Sequence, residues 1–254
     1  MPTLSFIVPC FNEEDALPRA LERLHAAGAS VPGGYELVLV DDGSTDRTWS
    51  LIAGAASARP DVVSGVRFAR NFGQQPAMLA GLELARGDFL LWVDADLQDP
   101  PELAAAMLSR ARDGFDVVVG VRRTRTGETW LKRATAWVFH RVLRFLAPRP
   151  IPVDSGYFCL LSRRAAAAVL ALPGRDRYLR VLLSLIDFPR TTLAYDRAAR
   201  TEGHTKYSLA RLCAVAWHAL VSCLRRPGPD DAGREPLFVI REHTAGREPR
   251  QDPA

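Results

Sequence analysis

Apolar positions along the first half of the chain follow two alternating rhythms. Short unbroken apolar runs occur at Leu4–Val8, Glu36–Val40, Val62–Arg67, Phe89–Val93 and Asp116–Val121, and these predict five strands. Between them, Ala16–Ala27, Asp46–Ala56, Gln75–Ala85 and Pro101–Arg112 carry apolar residues at helical spacing. Ser44, Thr45 and Asp46 are good N-cap residues for the second helix, and Gly87 closes the turn after the third. Prolines open the fourth, where a missing N–H costs nothing. Alternating strands and helices with continuous apolar strands predict an α/β fold, a doubly wound and mostly parallel sheet flanked by helices. Ligands of such sheets bind beyond the carboxyl ends of the strands.

The rhythm changes after Val121. Glu128–Leu146 predicts one long helix carrying Lys132, Arg133, Arg141 and Arg144, followed by a proline-rich turn at Ala147–Pro152. Gly156–Leu161 and Thr191–Ala194 predict strands, and Arg163–Leu170 and Tyr178–Leu185 predict helices. Ser208–Leu224 predicts an apolar helix, ended by Arg225, Arg226 and Pro227. From Pro227 onward proline, glycine and charge dominate. The expected organisation is one domain over 1–226 and a polar, disordered tail over 227–254. No internal repeat is visible. MPTLSFIVPC lacks a basic leader and reads as a first strand. No apolar stretch reaches the roughly 18 residues needed to span a bilayer.

Composition narrows the function classes. The chain has 254 residues, 48% of them hydrophobic, enough to bury a sizeable core. The net charge of +4 is mild, but acidic clusters precede Asp116 and basic residues concentrate after Arg122. That asymmetry fits an anionic partner for the second half, or an arginine-rich composition with no partner behind it. No nucleic-acid-recognition motif accompanies it. Cys10, Cys159, Cys213 and Cys223 show no CxxC spacing and sit in apolar contexts, as buried thiols of a reduced protein do. The five histidines show no metal-binding spacing.

Three acidic or polar clusters fall at predicted strand ends: VPCFNEED (Val8–Asp15), VDDGSTD (Val40–Asp46) and VDADLQDPP (Val93–Pro101). One such cluster is commonly a turn with a capped helix. Three on one sheet edge line a single crevice, and clustered charge costs stability unless a ligand uses it. No GxxxxGK[ST] or GxGxxG is present, which excludes two common phosphate-binding loops. Acidic loops repel a bare diphosphate. A divalent ion removes the conflict, because hard oxygen ligands hold Mg2+ or Mn2+ and the ion bridges the phosphates. On an extended strand end, Asp94 and Asp96 point the same way, and Gln98 takes the next same-side position if the extension persists.

These stretches, together with RNFGQQPA (Arg70–Ala77) and GHTKYSL (Gly203–Leu209), occur in an order that resembles family 2 glycosyltransferases of the GT-A fold. The polyprenyl-phosphate subgroup, which includes dolichol-phosphate mannose synthases and bactoprenol glucosyltransferases, is the most similar. The resemblance covers about Leu4 to Leu224. It implies an inverting, metal-dependent hexosyltransferase using a nucleotide-diphosphate sugar, of GDP-mannose or UDP-hexose type. The acceptor it implies is undecaprenyl or dolichyl phosphate. By the same resemblance, Pro9, Asn12 and Glu13 shape the base and ribose pocket. Asp41 contacts base or ribose with Asp42 behind it, and Gln74 or Gln75 faces the nucleotide-sugar. Asp94 and Ala95 belong to the donor site, with Asp94 on sugar or ribose hydroxyls. Asp96 and Gln98 take Mg2+ or Mn2+. Arg122 and Arg133 grip the acceptor phosphate, which a guanidinium fork suits. Arg200 and Lys206 meet the donor diphosphate. Asp154 orients the acceptor, or acts as base toward a hydroxyl acceptor.

Plainer readings stand beside these. Asp42 with Ser44 and Asp46 also fits a turn, and Arg133 and Lys206 also fit a solvated surface. Tyr157 and Cys159 depart from many relatives, as does a single apolar helix where bactoprenol-type relatives continue into two transmembrane helices. Ser208–Leu224 therefore reads either as a membrane-interface helix of a peripheral protein on the inner membrane face, or as a core or dimer helix. The alternative functions are a soluble glycosyltransferase acting on a small molecule or peptide, and a non-catalytic nucleotide-sugar-binding subunit.

Overall fold

The computed structural model describes residues 2–123, 155–172, 179–196 and 237–244. Eight strands form one sheet: β1 (Leu4–Cys10), β2 (Tyr35–Asp41), β3 (Val63–Phe68), β4 (Phe89–Trp92), β5 (Val117–Arg122), β6 (Ser155–Ser162), β7 (Arg190–Tyr195) and β8 (Ile240–His243), in the order β7-β5-β6-β4-β1-β2-β3-β8. β6 and β8 run against the other six. Helices α1 (Leu17–Ala29), α2 (Thr48–Ala58), α3 (Gln74–Leu84), α4 (Ala104–Arg112), α5 (Arg163–Ala171) and α6 (Leu179–Leu185) cover both faces. This is the sandwich the apolar strands require, since they have no polar face to offer solvent.

The two faces have separate cores. Phe6, Val8, Leu37 and Leu39 pack toward α1, α2 and α4, while Ile7, Val38 and Val40 pack toward α3, α5 and α6. Leu39 is fully buried, and truncation of such a side chain to Ala costs about 2–5 kcal/mol. Gly81 of α3 lies directly on β1, where a Cβ would come within 2.1 Å of the Ile7 side chain. That close approach brings the start of α3 to the sheet's carboxyl edge.

Strand order places the crevice. β2 and β3 step outward from β1 on one side, and β4 returns to its other side. Connections leave β1 and β4 in opposite directions, so their carboxyl ends part. The β1–β4 ladder stops at Ile7 and Trp92. Pro9 lies past it, where a residue without an N–H is tolerated in a central strand.

The expected mostly parallel sheet is present, with antiparallel β6 set between β4 and β5. Three expectations need correction. α2 starts at Thr48 rather than Asp46, because Ser44 and Thr45 are bonded to Asn12 in the loop after β1. Pro101–Leu103 forms a 3-10 turn before α4. Within the expected tail, residues 237–244 include a strand, and Phe238 stacks on Phe68 with ring centroids 4.9 Å apart. The predicted helices at Glu128–Leu146 and Ser208–Leu224 lie outside the described residues. Among the described residues, no helix is long and apolar enough to cross a membrane.

Candidate active site

The loops after β1 and β2 are laced together. Ser44 Oγ accepts from Asn12 N (2.9 Å), Asn12 Oδ1 accepts from Thr45 N (2.9 Å), and Thr48 Oγ1 accepts from Glu13 N (2.8 Å). Asn12 takes a left-handed conformation, φ 52°, which asparagine tolerates. Asp46 accepts from Glu14 N and Thr48 N. Burial opposes its charge, but these bonds prevail and hold it below the usual carboxylate range. The polar residues of both motifs thus build a rigid wall, and Asn12 and Glu13 take part through backbone and side-chain bonds.

The paired aspartates ending β2 diverge in role. Asp42 is buried and accepts from Phe72 N (2.7 Å) and Gly73 N (2.9 Å), tying down the loop before α3. Gly43 between loops has φ 69°, and a Cβ there would lie 2.4 Å from the Arg70 backbone. Asp41 is fully buried and accepts from Ser44 N (3.1 Å), with Arg67 Nε 3.2 Å from its other oxygen. Burial pushes its pKa up, against the bonds from Ser44 and the charge of Arg67.

After β4, Asp94 and Asp96 are half-buried and Ala95 between them is buried, the alternation expected of that edge. The extension ends there. Leu97 has φ 52°, and Gln98 N donates to Asp96 Oδ1 (3.1 Å), so Gln98 follows a turn and does not continue the strand. Gln74 Nε2 donates to Asp94 Oδ1 (2.7 Å). Gln75 is directed elsewhere, accepting from Leu179 N at the start of α6. Gln74 is therefore the glutamine of the crevice.

Arg122 ends β5 on the same sheet edge. Its guanidinium lies 3.7 Å from Asp99 Oδ1 and its Nε donates to Tyr195 Oη (3.4 Å). Tyr195 in turn donates to Asp99. Burial works against the Arg122 charge, but Asp99, Tyr195 and the more distant Asp94 raise its pKa. Gly156 gives the guanidinium its room, since a Cβ there would come 2.7 Å from Nη2. Asp99 and Tyr195 were not singled out from sequence; Asp99 stood within an acidic motif, but nothing local marked Tyr195. Cys159, on the α6 side of β6, is fully buried, which pushes its thiol up to about 12 and leaves it inert at neutral pH. Arg133, Asp154, Arg200 and Lys206 lie outside the described residues.

A divalent cation suits the donor set. Asp94 and Asp96 offer hard carboxylate oxygens at the crevice mouth. Among the described residues no three acidic, histidine or cysteine side chains converge to hold an ion. A cation here would need further oxygens from a ligand.

Comparisons with known proteins identify the family and the fold. The chain is 34% identical over 219 residues to the bactoprenol glucosyl transferase of Shigella phage SfV, covering 86% of this chain and 71% of that one. It is 36% identical over 227 residues to the undecaprenyl-phosphate 4-deoxy-4-formamido-L-arabinose transferase of Pseudomonas paraeruginosa, covering 87% and 65%. The fold matches glucosyl-3-phosphoglycerate synthase from Mycobacterium tuberculosis, solved with Mn2+ and UDP-glucose, at a TM-score of 0.56 and 24% identity, over 94% of this chain and 86% of that one. The architecture is that of GT-A glycosyltransferases. Residues 5–170 match Glycosyl transferase family 2, and the chain belongs to that family.

Proposed function

We propose that this protein transfers a sugar, with inversion, from a nucleotide-diphosphate sugar to a polyprenyl phosphate at the inner membrane face, in a reaction that needs Mg2+ or Mn2+. The observation that carries the reading is the setting of Arg122. A half-buried, doubly held guanidinium stands on the sheet edge that bears Asp94 and Asp96, close enough to sense Asp94. A fixed cation beside an acidic donor loop suits an anionic acceptor. The relatives named for bactoprenol and undecaprenyl phosphate support the lipid phosphate as that acceptor.

The chemistry needs little proton transfer. An acceptor phosphate oxygen forms the bond to the anomeric carbon while the bond from that carbon to the diphosphate breaks. The electron pair leaves with the nucleoside diphosphate, and attack from the opposite face inverts the centre. The acceptor phosphate is already ionised, so the protein's work is positioning and charge stabilisation. Asp41, fully buried behind the wall built by Asn12 and Glu13, backs the base or ribose subsite beside Pro9. Asp94, oriented by Gln74, takes sugar hydroxyls. Asp96, with Gln98 beside it, holds the cation, which when bound offsets the charge of the leaving diphosphate. Arg122 aligns the acceptor, joined by Arg133, with Asp154 orienting it. Arg200 and Lys206 meet the diphosphate.

The test is transfer by the purified chain with Mg2+ or Mn2+, a panel of GDP- and UDP-sugars, and undecaprenyl or dolichyl phosphate. Metal-dependent glycolipid formation, lost in Arg122→Ala and Asp96→Ala, is expected. Sugar transfer to a lipid-free acceptor alone would overturn the lipid-phosphate acceptor. Absence of donor binding would overturn the enzyme.

A further inference from the structure

β8 reaches the donor wall through one charged line. Its register sets Glu242 directly opposite Arg67 of β3. Glu242 Oε1 lies 3.3 Å from Arg67 Nη1, and Glu242 Oε2 accepts from Trp49 Nε1 of α2 (2.8 Å). The same guanidinium donates from Nη2 to Ser44 O (3.0 Å) and places Nε 3.2 Å from Asp41 Oδ2. Arg67 is thus shared by the carboxylate closing β2, the loop laced to Asn12, and a strand residue 175 positions away in sequence. Thr244 fastens the strand by accepting from Gly65 N (2.9 Å).

Among the described residues, Asp41 Oδ2 is buried and accepts no hydrogen bond, although Arg67 is within ion-pair distance. The pair is off-line, so the side chain depends on how the guanidinium is held. Glu242 and Trp49 do that holding from the far side. A guanidinium released by Glu242 can turn, and both Asp41 and the Ser44 carbonyl then lose their shared partner.

We propose that Glu242 and Arg67 are positioning residues of the nucleotide subsite, acting through Asp41 and the Ser44 loop, so that the β8 strand tunes donor affinity. The proposal rests on the donor-site reading above. Neither residue needs to touch substrate. A purely structural role for β8 would change melting temperature alone. A positioning role changes donor affinity with little effect on turnover at saturating donor.

The experiment is calorimetric titration of UDP and of GDP, each with Mn2+, into the full chain. Wild type is compared with Glu242→Gln, Trp49→Phe, Asp41→Asn and the Glu242→Gln/Asp41→Asn double variant. Glu242→Gln is expected to weaken the preferred nucleotide about 3- to 10-fold, Trp49→Phe less, with kcat at saturating donor within about twofold of wild type. Once Asp41 is Asn, Glu242→Gln should have no further effect, because the two act in series. Equal affinity of wild type and Glu242→Gln would overturn the proposal. So would an equal loss in both backgrounds. If wild type binds neither nucleotide, the donor-site reading itself fails.

Discussion

The two edges of the sheet both carry buried acids, and they treat them in opposite ways. At the amino edge, Glu36 accepts from Ser5 Oγ (2.7 Å) and Arg86 N, and Ser5 Oγ accepts from Gly87 N. Asp116, also at that edge, accepts from Ser162 and from two nitrogens of Arg164. These carboxylates close loops and are matched by donors. At the carboxyl edge, Asp94 and Asp96 are half-buried at a crevice mouth, and Asp41 is buried beyond what its partners offset. On the function proposed above, the amino-edge acids serve the fold and the carboxyl-edge Asp94 and Asp96 serve a ligand. Substitutions should therefore separate the edges: stability losses on one, activity losses on the other.

The sharpest break is Asp96→Asn. It keeps the side chain's size and can still accept from Gln98 N, so melting temperature should hold. Turnover should fall about 10²- to 10³-fold if the carboxylate stabilises leaving-group charge. Steady-state rates beside a thermal melt check this, and a matching fall in both would place Asp96 with the structural acids. Arg122→Gln comes next. Loss of a charge-assisted phosphate contact costs about 1.5–3 kcal/mol, so kcat/KM for the acceptor should drop about 10- to 100-fold. This variant blurs the comparison, because buried Asp99 loses its cation and some stability goes with it. Acceptor titration separates the two effects, since donor affinity should be spared.

The comparison also explains what the sequence could and could not disclose. Seven strands were legible, all but β7 as largely apolar runs bounded by turns, and their ends agree to within about two residues. The position of β6 was not, since an apolar run reports burial on both faces and says nothing of direction or neighbours. β8 was missed because it is a short edge strand whose alternating half-buried and exposed residues, Ile240 to His243, sit in a setting of proline, glycine and charge. The acidic crevice was legible as three motifs at predicted strand ends. The division of labour inside it was not. Nothing local distinguishes Asp41 from Asp42, or Gln74 from Gln75, until α3 and α6 are placed. The Asp99–Tyr195 pair joins residues 96 positions apart, a separation at which no spacing rule operates.

At the amino edge, Glu36→Ala should cost about 1–3 kcal/mol of stability, because the buried Ser5 hydroxyl and Arg86 N–H lose their acceptor. Activity per folded molecule should be unchanged, as the site lies at the far end of the strands. Denaturant unfolding with an active-site titration checks both halves. A variant that kept its stability but lost turnover would end the division between edges.

The smallest effect is a pair of opposite pH responses. Arg164 and Ser162 hold the Asp116 carboxyl below the usual range, against a smaller burial penalty. Ionised Asp116 therefore adds stability at any pH above the ordinary carboxylate value of about 3.9, and that contribution disappears as pH falls through its depressed folded value. Asp116→Asn should be less stable than wild type at neutral pH, with the gap closing in strong acid. The contribution is modest, because Arg164 is well exposed and solvent screens the pair. Asp41 runs the other way. Burial raises its folded value, so its ionised form costs stability at neutral pH, and acidification through that value relieves the cost. Relative to Asp41→Asn, wild type should gain stability as pH is lowered from 7 toward about 4. Melting temperatures of the three proteins from pH 7 down to about 2 should give slopes of opposite sign for the two edges, that of Asp41 above the ordinary carboxylate value of about 3.9 and that of Asp116 below it. Equal signs would mean that Asp41 is as well matched as Asp116, and that the two edges do not differ in how they hold a buried carboxylate.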